Sequence, residues 1–190
     1  MKNLLIVVDY QNDLVDGSLG FPKAKDIEQN IVNKIKEYQN NNDEIIFTLD
    51  THYENYMGTK EGENRPVPHC IKGTKGHELF GKVKELANGY LLIEKETFGS
   101  KDLMKFLEWK EYQKIELIGV VTNICVISNA VIVKAMLPNT DIVVDASCSS
   151  SNDEVLEGKA LDILENLHIR VIKKKLIEEH LLLIIDAFSL

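Results

Sequence analysis

Four kinds of side chain in this sequence could do chemistry together: acids, a lysine, a cysteine and closely spaced histidines, several of them just past an apolar run. Cys125 lies in IELIGVVTNICVISNA, residues 115–130, where an apolar run ends at Gly119 and a helix is expected from Ile124. A thiol in the first turn of a helix faces unpaired N–H groups and the positive end of the helix dipole, so it is expected to ionise more readily than a free one. The plain alternative for Cys125 is a small buried hydrophobe. Asp9 follows NLLIVV, Asp50 follows EIIFTL, Lys95 lies beyond YLLI, and Asp145 follows DIVV. Singly, Asp9 and Asp145 could cap loops, and Lys95, within EKE, could belong to a solvated charge run. Together they supply an acid, a base and a thiol at matching positions.

A second group lies in the segment THYENYMGTKEGENRPVPHCIKGTKG, residues 51–76, with Asp50 immediately before it. Asp50, His52 and His69 offer a carboxylate and two imidazoles, a donor set suited to zinc, iron or manganese. Glu54, Glu61 and Glu63 are nearby carboxylates that could add a ligand or serve only as solubilising charge. His77 and Cys70 read as bystanders.

The elements that must position these residues follow from hydrophobic periodicity. Apolar runs at 3–8, 44–49, 90–93, 115–119, 141–144 and 170–172 read as strands, the first rich enough in branched residues for a strand buried on both faces. Ile27, Ile31, Ile35 and Tyr38 mark a helix capped by Asp26 and running to about Asn40. Shorter helices are expected around Leu79, Val83 and Leu86, around Leu103, Phe106 and Leu107, and over 155–167. Residues 9–26 read as a loop punctuated by Gly17, Gly20 and Pro22, and SCSSSND (147–153) as a capping loop. Alternating strands and helices call for a three-layer α/β/α fold, a six-stranded, mostly parallel sheet with helices on both faces. Loops at the carboxyl ends of such strands are where ligands bind.

Composition narrows the function. The 190 residues suit one domain, 1–190, and 44% hydrophobic content with mixed charge excludes a disordered chain. No apolar run approaches the roughly 18 residues of a membrane span. The segment 176–190, LIEEHLLLIIDAFSL, is apolar and expected to be a helix docked on the body or on a second subunit. The start, MKNLLIVVDYQND, lacks a signal-peptide cleavage pattern, so a cytoplasmic protein is expected. Three widely spaced cysteines fit reduced thiols. A net charge of −8 argues against a nucleic-acid partner and leaves a small molecule as the expected ligand.

With Asp9 after the first strand, DTH after the second, PVPHCIKGT in the loop, Lys95 after the third and GVVTNICV at the turn, the chain resembles the nicotinamidase and isochorismatase-like cysteine hydrolases. The resemblance extends to about Lys173. It implies a catalytic set of Asp9, Lys95 and Cys125, a cis peptide at Val120–Val121, and an oxyanion held by the backbone N–H groups of Val121 and Cys125. It further implies one divalent metal, zinc foremost, on Asp50, His52 and His69, with Glu61 a candidate fourth ligand because Gly58 stands near where another histidine can occur. No organic cofactor is implied. The implied reaction is hydrolysis of nicotinamide to nicotinate in NAD salvage, with another small amide, ureido or carbamoyl substrate as the alternative. Phe21, with Tyr10 and Tyr53 as further candidates, would sandwich the ring. Self-association is common in the family, so a homo-oligomer is expected.

Overall fold

The computed structural model describes residues 1–173; the apolar segment 176–190 lies outside the described residues. Six strands form one parallel sheet: β1 (Asn3–Val8), β2 (Glu44–Asp50), β3 (Leu91–Lys95), β4 (Lys114–Val120), β5 (Asp141–Ser150) and β6 (Arg170–Ile172). Their spatial order is β3-β2-β1-β4-β5-β6. The chain thus winds outward from β1 in one direction and then, from β4, in the other. The crevice between β1 and β4 is the point where that order reverses, the expected ligand position in such a sheet.

The helices are α1 (Asn12–Val15), α2 (Pro22–Asp26), α3 (Glu28–Asn40), α4 (Lys60–Asn64), α5 (Gly81–Leu86), α6 (Lys101–Leu107), α7 (Ile127–Met136) and α8 (Glu154–Asn166). Alternation along β1 explains why both faces of the sheet need cover. Leu5 and Val7 pack with Ile31 and Ile35 of α3 and Val83 of α5. Leu4, Ile6 and Val8 pack with Leu103 of α6, Val133 of α7 and Leu164 of α8.

Gly119 is the register partner of Val8 where the two central strands end. Its φ is +117°, and a Cβ there would lie 2.1 Å from the carbonyl oxygen of Val8. Only glycine allows β4 to come this near to the end of β1.

Several expectations are corrected. Residues 9–26 contain α1 and α2, whose four or five residues are too short to carry a periodic signal. Pro22 opens α2, where its missing N–H costs nothing. Asp26 ends α2 and does not cap α3, which begins after Ile27 without a side-chain cap. β2 and β3 run one to two residues further than their apolar runs, so Asp50 and Lys95 are strand residues. β5 continues to Ser150 through an irregularity opposite Leu117 and Gly119, so most of the SCSSSND run is strand, and Asp153 caps α8.

Candidate active site

Asp9 leaves β1 in a left-handed conformation (φ 48°) and is fully buried. Its Oδ1 accepts a hydrogen bond from Thr48 Oγ1 at 2.6 Å, and its Oδ2 pairs with Lys95 Nζ at 2.7 Å. Lys95 comes from the end of β3, two strands away, and reaches past β2 to do so. Its ammonium also donates to Asp50 Oδ1 at 3.2 Å, to the carbonyl of Thr97 at 3.1 Å and to Cys125 Sγ at 3.6 Å.

Cys125 is presented by a π-helical turn, Thr122–Val126, which follows β4 and leads into α7. π-Helical turns inside helices are frequent at functional sites. The Val120–Val121 peptide before this turn is cis. The N–H groups of Ile124 and Val126 both donate to the carbonyl of Val121, at 3.0 and 3.2 Å. The long β5 braces the same turn: Ser149 and Ser150 pair with Gly119 and Val120, and Ser151 Oγ donates to Asn123 Oδ1 at 2.6 Å.

Burial dominates the acid–base character of this cluster. It pushes the Cys125 thiol well above its ordinary value, helped by the charges of Asp9 and Asp50 and opposed by Lys95. The expected easily ionised thiol is therefore corrected, because a buried sulfur facing two carboxylates loses more from desolvation than one ammonium returns. Burial likewise raises Asp9, against the pull of Lys95. For Lys95 burial works toward deprotonation, but Asp9, Cys125 and Asp50 outweigh it and hold the ammonium well above the usual lysine range.

Next to this set, Asp50, His52, Glu61 and His69 each present one ligand atom, all within 4.8 Å of one another. The Nε2 atoms of His52 and His69 both lie 3.2 Å from Asp50 Oδ2, and 3.6 and 3.7 Å from Glu61 Oε1. His69 Nδ1 donates to the carbonyl of Val67 at 2.8 Å, which leaves Nε2 as the lone-pair donor. Two imidazoles and two carboxylates converging from buried or half-buried positions fit a divalent metal. Burial disfavours ionised Asp50, yet Lys95 and the hydrogen bonds of His52 and His69 outweigh it and keep this carboxyl well below the usual range. Burial and the neighbouring Asp50 raise Glu61, against the two histidines.

Both groups face one pocket, whose walls include Cys125, Asp50, Glu61 and His69 together with Phe21, Phe98, Leu14, Leu19, Val121 and Ile124. It is a small, mostly apolar chamber with the Cys125 thiol at one side and the group that fits a metal at another.

Comparison with known proteins decides the family. The family model described as the Isochorismatase domain matches residues 3–175. The chain belongs to the isochorismatase family. The isochorismatase family protein PncA of Bacillus subtilis (strain 168) is 38% identical over 144 residues, covering 69% of this chain and 78% of that protein. The pyrazinamidase/nicotinamidase from Streptococcus mutans UA159 has a similar solved structure, with a TM-score of 0.79 at 30% identity over 90% of this chain and 100% of that one. The pyrazinamidase of Pyrococcus horikoshii, solved in complex with zinc, shares the fold with a TM-score of 0.79 at 24% identity, covering 92% of this chain and 100% of that one.

Within this isochorismatase-family site, the structure brings Asp9, Lys95 and Cys125 together, gathers Asp50, His52, His69 and Glu61, and puts Phe21 on the pocket wall. It does not bring the other aromatic candidates to the pocket. Tyr10 is fully buried on the α1–α3 side of the sheet, where its hydroxyl donates to the carbonyl of Ala24 at 2.6 Å and its ring meets Phe80 edge-on. Tyr53 is half exposed and lines two other cavities, one shared with Lys95 and one with His52 and Glu61, and not the pocket of Cys125. Asp145 is turned away from the site, paired with Lys34 at 3.1 Å and with Ser147. His77 bonds Thr51 Oγ1 at 2.8 Å, and Cys70 is a core residue.

Sequence reasoning missed Gln11, a fully buried side chain whose amide donates to the carbonyls of Asp50 and His77 and accepts from the N–H of Asp50. It also missed Phe98 and Arg65 on the pocket wall. An aromatic three residues past Lys95 was a readable signal; Gln11 carried none.

Proposed function

We propose that this isochorismatase-family hydrolase is a nicotinamidase, which cleaves nicotinamide to nicotinate and ammonia through a thioester on Cys125 and so serves NAD salvage. The observation that carries this reading is the single pocket that Cys125 shares with Asp50, Glu61 and His69, whose group fits a metal. A thiol nucleophile suits attack on an amide carbonyl, and a metal beside it suits capture of a ring nitrogen. Similar proteins named for nicotinamide and pyrazinamide hydrolysis support the same substrate class.

Asp9 accepts the proton of Cys125, and the Lys95 ammonium, held between them, stabilises the thiolate as it forms. The sulfur adds to the carboxamide carbon while the backbone N–H groups of Val121 and Cys125 hold the oxyanion. Protonated Asp9 returns the proton to the departing nitrogen, and ammonia leaves. Asp9 then takes a proton from water as it attacks the thioester, and nicotinate leaves with the thiol restored. Asp50, His52, His69 and Glu61 would hold the divalent metal, which supplies a Lewis acid for the pyridine nitrogen. Phe21 packs on the ring from the wall.

The test is ammonia release from nicotinamide by the purified protein, alongside Cys125→Ala and a chelated sample. Release that requires Cys125 and falls on chelation is expected. No release from metal-replete protein, with release from other small amides, would replace the substrate and keep the Cys125 chemistry. One observation favours that second reading: Arg65 lines the pocket, and among the described residues no carboxylate lies within ion-pair distance of its guanidinium. An amide, ureido or carbamoyl substrate bearing an acidic group would be its natural partner.

A further inference from the structure

Asn129 is a fully buried polar residue one helical turn beyond Cys125, and three of its hydrogen bonds tie two parts of the site together. Its Nδ2 donates to the carbonyl of Cys125 at 2.8 Å and to the carbonyl of Phe98 at 3.0 Å. Its Oδ1 accepts from the N–H of Ser100 at 3.0 Å. One amide therefore spans from α7 to the loop between β3 and α6, gripping that loop on both sides of Gly99. Gly99 is pressed close to α7: a Cβ on it would lie 2.8 Å from Ile132 Cδ1. Ser100, in turn, caps α6 by accepting from the N–H of Leu103 at 3.0 Å.

The loop that Asn129 grips carries two things the site uses. Thr97 offers its carbonyl to the Lys95 ammonium, and Phe98 forms part of the pocket wall. Phe98 is 41% exposed, so packing alone does not fix it. The bonds to its own carbonyl and to the N–H two residues on are what hold its backbone at a set distance from Cys125.

We propose that Asn129 is a positioning residue that fixes the Phe98 wall relative to the Cys125 sulfur, and thereby makes the pocket selective for a flat aromatic ring bearing the reacting carbonyl. The inference rests on the proposed aromatic amide substrate and deepens it. Asn129 reaches the reaction through Cys125 and Phe98, each held by its backbone. A threonine at 129 can still donate to the carbonyl four residues earlier, but it is too short to reach the loop.

The test compares two thiol reagents on wild type, Asn129→Thr and Phe98→Ala. Iodoacetamide needs no ring wall; 3-(bromoacetyl)pyridine carries a ring of the proposed size. Rates are corrected with a free thiol, and KM and kcat for nicotinamide are measured beside them. Wild type should prefer the pyridine reagent. In Asn129→Thr that preference should fall by about five- to tenfold, as expected for losing buried hydrogen bonds, with KM rising by more than kcat falls. Phe98→Ala, which leaves all three backbone-directed bonds in place, should lose the preference to a similar degree and guards against a poorly folded Asn129→Thr. An unchanged preference in either variant, or an equal slowing of both reagents, would overturn the proposal. If wild type releases no ammonia from nicotinamide, the substrate reading falls. The tether is then judged by the reagent ratio alone, and a ratio unmoved by Asn129→Thr ends it too.

Discussion

Asp50 and Lys95 face each other across β2 and β3 as register partners, and a salt bridge of 3.2 Å joins Asp50 Oδ1 to the Lys95 ammonium. The other oxygen of Asp50 lies 3.2 Å from both imidazole Nε2 atoms. One carboxylate therefore belongs to the lysine that serves Cys125 and to the group that fits a metal. Gln11 fixes its backbone from both sides.

Asp50→Asn should weaken both halves at once. Metal affinity, measured by titration with a chelating competitor, is expected to fall by about 10- to 100-fold. A variant that binds metal as tightly as wild type would remove Asp50 from the ligand set.

Cys125→Ala should lower ammonia release by about 10⁴-fold or more, the scale seen when a covalent nucleophile is deleted. Metal content by elemental analysis and nicotinamide binding by calorimetry should persist. Substantial residual turnover would end the thioester route.

The pH dependence follows from Asp9. Burial raises its carboxyl above the ordinary 3.8. As pH falls through that raised value Asp9 gains a proton and can no longer accept one from Cys125, so kcat/KM should drop on the acid side at a higher pH than an ordinary aspartate would give. Lys95, held well above 10.5, stays charged over this range and adds no acid limb. A limb at or below 3.8 would contradict Asp9 as the base.

Away from the site, Glu116 is buried with Lys34 at 2.8 Å, Lys114 at 2.8 Å and the Tyr38 hydroxyl at 2.8 Å. Burial opposes its charge, but these partners lower its pKa below 4.5. Its stabilisation is therefore full above 4.5 and lost as pH falls through the lower folded value. Glu116→Gln should cost about 3 kcal/mol in urea unfolding at neutral pH, with the gap to wild type closing in acid. A gap that does not change with pH would point to packing alone.

Gly119→Ala should destabilise the protein by about 3 kcal/mol or more, because the new Cβ meets the Val8 carbonyl and φ is positive. Wild-type stability on urea unfolding would show that β1 and β4 can part without cost.

How far the site was legible differs residue by residue. Asp9, Asp50 and Lys95 were readable because each ends an apolar run, and Phe21 because it sits in the loop leaving Asp9. Tyr10 was misplaced because the left-handed turn at Asp9 sends its neighbour into the core beneath α2. Asp145 was grouped with the other strand-end acids, but β5 runs on past it to Ser150, so it lies inside the strand and not at its end. The Cys125 thiol was read from its helix turn, whereas burial sets its acidity, opposed by Lys95 and reinforced by Asp9 and Asp50, which arrive from distant strands.

The sequence by itself determined the alternation of strands and helices and the residue types at the strand ends, and it offered Asp50, His52 and His69 as candidate metal donors, because each is read from spacing and composition. Only the tertiary structure decided that β1 and β4 lie side by side, that Lys95 bonds Asp50, Asp9 and Cys125 at once, and that Asn129 reaches the loop of Phe98. Those contacts join residues tens of positions apart, and they are fixed by strand order and by the packing of helices on two faces of the sheet, which no local pattern encodes.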